Sequence, residues 1–180
     1  MEKNAKYITY LATFTALATL ANCFTIPFGG GTNFISLVYI PCFLAGIFLG
    51  PIAGFVVGAI GDLLGILIMP FGPWMPLITL ASGLLGFIPG IVFKVVKTKY
   101  TMLKLFVSIV LCLLICTAGL NTLGTFLLYA VGKKTFFVYL GARFPVQCLM
   151  AAINFVVIGA LIKVKPLAKI LTIKNNKKNR

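Results

Sequence analysis

Long apolar segments alternate along the chain with short stretches rich in glycine, proline or lysine. A helix that crosses a bilayer needs about 20 mainly apolar residues, and six segments approach that length. They run over residues 5–26, 34–49, 51–68, 77–96 and 101–129, and from the loop at 132–134 to residue 163. The pattern predicts an all-α membrane protein with six transmembrane helices, formed by one domain over residues 1–180.

Proline and glycine mark the breaks between these segments. Pro27 ends the first segment, Gly50-Pro51 makes a tight turn, and residues 69–76 contain too much proline for a helix. Pro145 lies near the start of the last segment. It either kinks that helix or occupies its first position, where proline costs nothing.

The last segment carries a polar stripe on an otherwise apolar helix. Arg143, Gln147 and Asn154 fall within about 40° of one another at helical spacing. Polar groups at membrane depth are costly and normally face a protein interior or a water-filled cavity. The stripe therefore predicts a binding cavity, although Arg143 would also suit a cation that snorkels to the interface.

The fifth segment offers a second polar face. Thr117, Asn121 and Thr125 lie within about 80° of one another on a helical wheel. Asn121 in an apolar helix requires a hydrogen-bond partner, either on another helix or on a ligand. These residues are predicted to form another wall of the cavity.

The third segment combines close-packing glycines with one acid. Gly54, Gly58, Gly61 and Gly65 fall within about 60°, and four-residue spacing of small residues lets helices approach closely. Asp62 flanks this glycine face near mid-membrane. It is expected either to line the ligand cavity or to cap a neighbouring helix.

Aromatic and polar residues are predicted to lie in the outer loops. Tryptophan and tyrosine at a membrane interface are usually anchors, but Trp74 stands between prolines, which suits a rigid lid over a flat ring. The residues predicted to cover the cavity from these loops are Phe28, Asn33, Phe71, Trp74 and Tyr139.

Composition agrees with a membrane protein, and the positions of the basic residues predict how the chain is oriented in the membrane. Charged residues make up 10% of the chain, against about a quarter in a soluble domain. The 16 basic residues stand at helix ends and tails, so a nucleic-acid-binding face is excluded. Cytoplasmic termini would leave only Lys133, Lys134 and Arg143 outside, as the positive-inside rule requires, with residues 166–180 as a basic cytoplasmic tail.

Catalytic and metal-binding motifs are absent from the sequence. The chain has no histidine, no Walker A motif, no Cys-x-x-Cys and no paired carboxylates, and its five cysteines suit apolar filler. We therefore expect no enzyme activity, no metal and no cofactor. The predicted ligand is an anion with a flat ring. Arg143 near Lys133 and Lys134 favours an anionic ligand. Asparagine and glutamine amides can hydrogen-bond ring heteroatoms, and aromatic side chains stack on planar rings.

Several motifs resemble the substrate-binding S component of energy-coupling-factor (ECF) vitamin transporters. They are the short helices, the Ala12-xxx-Ala16 pair, the run Gly61-Asp62-Leu-Leu-Gly65, and the loop Pro-Phe-Gly-Pro-Trp-Met-Pro76 that leads into residues 77–86. The pattern Arg143-x-Pro145…Ile153-Asn154 is similar to the folate-specific branch.

The resemblance implies a subunit in the cell membrane that captures folate from outside, with the first and third outer loops closing over it. It implies partnership with a membrane coupling (T) subunit and two ATP-binding-cassette ATPases, with Ala12 and Ala16 at the contact. Together with the polar faces and loops described above, it leads to a predicted set of ligand residues, namely Arg143, Gln147, Asn154, Asn121, Thr125, Trp74, Phe28, Asn33, Tyr139 and Asp62. Alternatives are another anionic vitamin such as pantothenate, a non-transport membrane scaffold, or a self-sufficient secondary transporter.

Overall fold

The computed structural model describes residues 2–28, 33–70, 72–132 and 135–163. The basic tail predicted at 166–180 lies outside this range. The elements are α1 (Glu2–Cys23), β1 (Ile26–Phe28), β2 (Asn33–Ile35), α2 (Tyr39–Leu49), α3 (Pro51–Ile68), α4 (Pro76–Val95), α5 (Thr101–Cys112), a π-helical segment (Leu113–Asn121), α6 (Thr122–Tyr129) and α7 (Phe136–Lys163).

The helical part of the fold prediction is confirmed. Four described helices are long and apolar enough to cross a membrane, namely Pro51–Ile68, Pro76–Val95, the continuous helix Thr101–Tyr129 and Phe136–Lys163. The first two predicted spans differ from these, because α1 has charged residues in its first turn and several threonines, and α2 has only 11 residues. Six spans and the cytoplasmic position of the termini stay predictions.

The predicted start of the second span at residue 34 is wrong. Residues Asn33–Ile35 form a strand that pairs antiparallel with Ile26–Phe28, with Ile26 opposite Ile35, and α2 begins only at Tyr39. Isoleucine and phenylalanine favour strands, so this short hairpin takes residues that an apolar count assigns to the helix. The hairpin adds a small β element to an otherwise helical protein.

The glycine face of α3 packs as predicted. A Cβ built on Gly61 would lie 2.6 Å from the Cβ of Ala18, and one on Gly65 would lie 2.6 Å from the Cβ of Asn22. A Cβ on Gly54 would lie 2.7 Å from the Cα of Gly46. Glycine therefore lets α3 lie against α1 on one side and against α2 and α4 on the other.

Pro145 lies inside α7, which runs from Phe136 to Lys163. The alternative that it occupies the first helical position is wrong, because the helix extends upstream to Phe136. The extra turns before Pro145 carry Tyr139 and Arg143 towards the core, where both side chains are buried.

Candidate functional site

A cavity of about 220 Å³ opens between the helices. This volume is more than ten times the ~10–15 Å³ that one water molecule needs, so the cavity has room for an organic ligand. Its lining includes residues of β2 and of the loop before α4, together with α1, α3, α4, the π-helical segment, α6 and α7. The cavity therefore lies at the end of the bundle that carries the hairpin and the 69–75 loop.

Arg143 is held in the cavity wall by neighbouring helices. Its side chain is 3% exposed. Its Nη2 donates to Asn121 Oδ1 at 3.1 Å, and its Nη1 donates to Thr125 Oγ1. The Tyr139 ring centroid lies 5.5 Å from its Cζ, within cation–π range. The snorkelling alternative is wrong, because this guanidinium is enclosed by protein.

One N–H group of Arg143 makes no hydrogen bond within the described part of the chain. Its Nε is shielded from solvent and has no hydrogen-bond partner among the residues that the structure describes. A buried donor without a partner costs free energy, and this one belongs to a residue that lines the cavity. The arrangement suits a ligand that brings an acceptor.

Gln147 and Asn154 continue the same face of α7 into the cavity. Gln147 Nε2 donates to Thr122 Oγ1 at 2.9 Å, and its Oε1 is buried without a partner in the described ranges. Asn154 is 1% exposed, and its Nδ2 donates to the Met150 carbonyl oxygen at 2.8 Å. The three residues of the predicted stripe therefore line the cavity together, and their contact with a ligand stays a prediction.

The π-helical segment forms the adjoining wall. Thr122 Oγ1 donates to the carbonyl oxygen of Thr117 at 2.8 Å, five residues earlier, and Tyr39 on α2 hydrogen-bonds Thr117 Oγ1. Thr117, Asn121 and Thr125 all line the cavity. A π-helix is wider than an α-helix and is often found at functional sites.

Asp62 lines the cavity from α3 and is 4% exposed. Its carboxylate accepts hydrogen bonds from Thr79 Oγ1 at 2.7 Å and from Ser82 Oγ at 3.3 Å, both on α4. Trp74 Nε1 in turn donates to Thr79 Oγ1 at 3.0 Å. Asp62 therefore faces the cavity, as the first alternative expected. It binds two hydroxyl side chains of α4 but does not cap that helix, which has no side-chain cap at its first turn.

The structure brings most of the predicted ligand residues together but not all of them. Asn33 lines the cavity from β2. Trp74 lies outside the lining with 54% of its side chain exposed, so it reaches the site only through Thr79. Tyr139 was expected in an outer loop, which is wrong, because it is a buried residue of α7 behind Arg143.

Some predicted residues lie beyond what the structure describes. The backbone of Phe28 belongs to β1, opposite Asn33, but its side chain is outside the described part, so its role as a cover stays a prediction. Phe71, Lys133 and Lys134 lie outside the described residues altogether. In the described ranges, no group of three or more metal-ligating side chains is found.

Sequence reasoning missed Asn22. This residue lies in the last turn of α1 and lines the cavity. Its Nδ2 is buried and has no partner in the part of the chain that is described. The available signal was a single amide near the end of an apolar segment, five residues before Pro27.

Comparison with known proteins adds three findings. The family model for the ECF-type riboflavin transporter, S component, matches residues 2–172. The folate transporter FolT of Clostridium novyi (strain NT) is 31% identical over 124 residues, which cover 69% of each chain. A crystal structure of FolT bound with folic acid superposes with a TM-score of 0.71 at 23% identity, over 85% of this chain and 91% of that one. The last similarity bears on the fold alone.

Proposed function

The chain belongs to the S-component family of ECF transporters, and we propose that it is the folate-binding subunit of such an importer. Several apolar helices and a clostridial relative make it a multi-pass bacterial membrane protein. Membership of a transport family also agrees with the expectation that it is not an enzyme. The proposal adds the ligand, the site residues and the partners to this family assignment.

The observation that carries the folate assignment is the buried guanidinium of Arg143 in a cavity with room for an organic molecule. Arginine binds carboxylates through charge-assisted hydrogen bonds, and folate ends in a glutamate with two carboxylates. Gln147, Asn121 and Asn154 supply amide groups that match ring heteroatoms. The 31% identity to a folate transporter supports the same ligand.

Riboflavin is the main alternative ligand to folate, because the matching family model is named for riboflavin transport. Riboflavin carries a flat ring but no carboxylate, so it leaves the charge of Arg143 without a partner. A neutral ligand would therefore bury an unpaired cation, which is unfavourable. The geometry favours folate over riboflavin, and an anionic vitamin such as pantothenate over any neutral one.

The proposed transport cycle starts with capture of folate from outside the cell membrane and ends with its delivery through separate subunits. We place the cavity outward, both termini in the cytoplasm, and the energy source in two ATP-binding-cassette ATPases joined through a membrane T subunit. Ala12 and Ala16 are exposed on α1, and their four-residue spacing suits close contact with a partner helix.

The direct test is Arg143→Ala, with Lys163→Ala as the matched control. Both variants remove one cation from α7, but Lys163 is exposed at the far end of the helix. Loss of one partner of a buried charged pair costs about 2–5 kcal/mol, so Arg143→Ala should weaken folate binding at least 30-fold in calorimetry. Lys163→Ala should bind as the wild type does. Wild-type affinity in Arg143→Ala would refute the assignment.

A ligand panel separates the alternatives. Thermal unfolding of the detergent-purified protein should shift upwards with folate and remain unchanged with riboflavin and pantothenate, because ligands stabilise the state they bind. A shift with pantothenate alone would show that the protein binds an anionic vitamin other than folate. A shift with riboflavin alone would show that it binds riboflavin, as the family name suggests. The absence of any shift would favour a scaffold without transport activity.

A further inference from the structure

A second polar wall of the cavity, the α1–α3 wall, consists of Asp62 and Asn22. Both residues line the cavity. The two helices meet here because Gly65, one turn after Asp62, has no side chain, and a Cβ built on it would lie 2.6 Å from the Cβ of Asn22. The acid and the amide therefore belong to one surface.

The hydrogen bonds around Asp62 fix the direction of the Thr79 proton. The indole N–H of Trp74 can only donate, so Thr79 Oγ1 accepts at 3.0 Å and gives its own proton to Asp62 Oδ2 at 2.7 Å. Ser82 Oγ donates to Oδ1 at 3.3 Å. Both carboxylate oxygens are thus acceptors, as in an ionised acid.

Asp62 retains capacity for a ligand. A carboxylate has about four lone-pair sites, and within the described chain only Thr79 and Ser82 hydrogen-bond it. Neither is a cation. A buried carboxylate that lacks a charged partner is costly, and two further donors from a ligand would offset that cost.

Asn22 contributes a hydrogen-bond donor, whereas Asp62 contributes acceptors. Its Nδ2 is a buried donor for which the described residues supply no acceptor. The α1–α3 wall therefore presents two acceptors, the oxygens of Asp62, and one donor, the amide of Asn22. This set is complementary to a ring edge that carries two donors and one acceptor.

We propose that the α1–α3 wall recognises the 2-amino-4-oxopyrimidine edge of a pterin ring, an inference that rests on the folate-binding function proposed above. The 2-amino group and N3–H of the ring donate to the two oxygens of Asp62, and O4 accepts from Asn22 Nδ2. The ring enters with its pyrimidine edge towards α3, which leaves Arg143 for the acidic part of the ligand.

The same wall explains why a flavin is rejected. The corresponding edge of riboflavin presents O2, N3–H and O4, which is an acceptor, a donor and an acceptor. Flavin O2 would meet a carboxylate oxygen where the pterin places an amino group, and like polarity at a buried contact is unfavourable. Asp62 thus discriminates between the two vitamins at the ring, in addition to the discrimination by Arg143 at the carboxylates.

Asp62→Asn tests this assignment, because it keeps the shape of the side chain but replaces one acceptor with a donor. In calorimetry, folate affinity should fall by about 30-fold or more, and riboflavin affinity should rise. Removal of the 2-amino group from the ligand, as in a 2-desamino-2-methyl analogue of folate, should weaken binding to the wild type. The same change should have little effect in Asp62→Asn.

Asn22→Ala is the second variant and tests the donor. Folate affinity should fall about threefold to tenfold, as for loss of one neutral hydrogen bond. The tail fragment p-aminobenzoylglutamate lacks the pterin, so its binding should be unchanged in both variants. This fragment serves as the control for correct folding.

The outcomes separate this inference from the proposed function. If the wild type fails to bind folate, both are wrong. If the wild type binds folate and Arg143→Ala weakens it, but both wall variants retain wild-type affinity and riboflavin rejection, the function stands and the wall assignment is overturned. Equal loss of folate and fragment binding in Asp62→Asn would also overturn it, since a purely structural role predicts that result.

Discussion

At the scale of single residues, the cavity is characterised by polar atoms that lack partners. Four buried side-chain atoms lack a hydrogen bond inside the described ranges. Arg143 Nε, Gln147 Oε1 and Asn22 Nδ2 belong to residues that line the cavity, and the fourth, Tyr139 Oη, belongs to the ring next to Arg143. Each such atom costs about 1–3 kcal/mol in the unliganded protein. Groups that lower stability and are concentrated at one cavity are typical of a binding site rather than of packing.

Gln147→Leu should separate stability from binding. The substitution removes the unpaired Oε1, so the unliganded protein should unfold at an equal or higher temperature, although the bond to Thr122 is lost. The thermal shift produced by folate should shrink, because the ligand loses an amide partner. Thermal unfolding with and without folate measures both effects. A lower unfolding temperature with an unchanged folate shift would contradict this account.

The sequence could predict residues whose role follows from position on one helix. Arg143, Gln147 and Asn154 share a face of α7 at helical spacing, and the structure places that face on the cavity. The role of Asp62 stayed open because its hydroxyl partners come from α4. Asn22 was missed because a single amide produces no periodic pattern.

At the scale of elements, the π-helical segment and the β hairpin depend on contacts that the hydrophobic pattern of the sequence does not reveal. The π-helical segment Leu113–Asn121 is mainly apolar and continuous with its neighbours, and the hydrogen bonds of Thr117 to Tyr39 and Thr122 accompany its wider turn. Phe34 and Ile35 of β2 were assigned to the second helix because they are as apolar as the helix that follows them. Helix ends marked by proline, such as Pro51 and Pro76, were predicted to within a residue.

We predict that helix α1 contacts the T subunit through Ala12 and Ala16. Ala12→Leu with Ala16→Leu should abolish co-purification of the T subunit and the ATPases, because leucine blocks close approach to a partner helix. Folate binding by the isolated subunit should remain, since both residues are exposed and neither lines the cavity. Co-purification after co-expression with the partner subunits measures the first effect, and calorimetry measures the second.

The matched control is Ala152→Leu, which adds the same side chain to an exposed position of α7. It should leave both assembly and folate binding intact. Assembly that survives the α1 variant but fails in Ala152→Leu would move the partner surface to α7.

At the scale of the whole molecule, the bundle encloses a cavity whose mainly apolar lining carries a few polar side chains, and its exterior is apolar. Fully buried residues such as Phe43, Leu105 and Ile158 form the core, while large apolar side chains such as Leu67, Phe137 and Val156 are exposed, as lipid contact requires. The α7 wall supplies a cation and the α1–α3 wall supplies an anion. A ligand with a carboxylate at one end and an amino-substituted ring at the other satisfies both walls.

The most direct measurement is an experimental structure of the purified protein with folate bound. We expect ligand density in the cavity, with the pterin edge within hydrogen-bond distance of Asp62 and Asn22 and a ligand acceptor at Arg143. Density for folate outside this cavity, or a cavity filled by side chains while folate remains bound elsewhere, would contradict it.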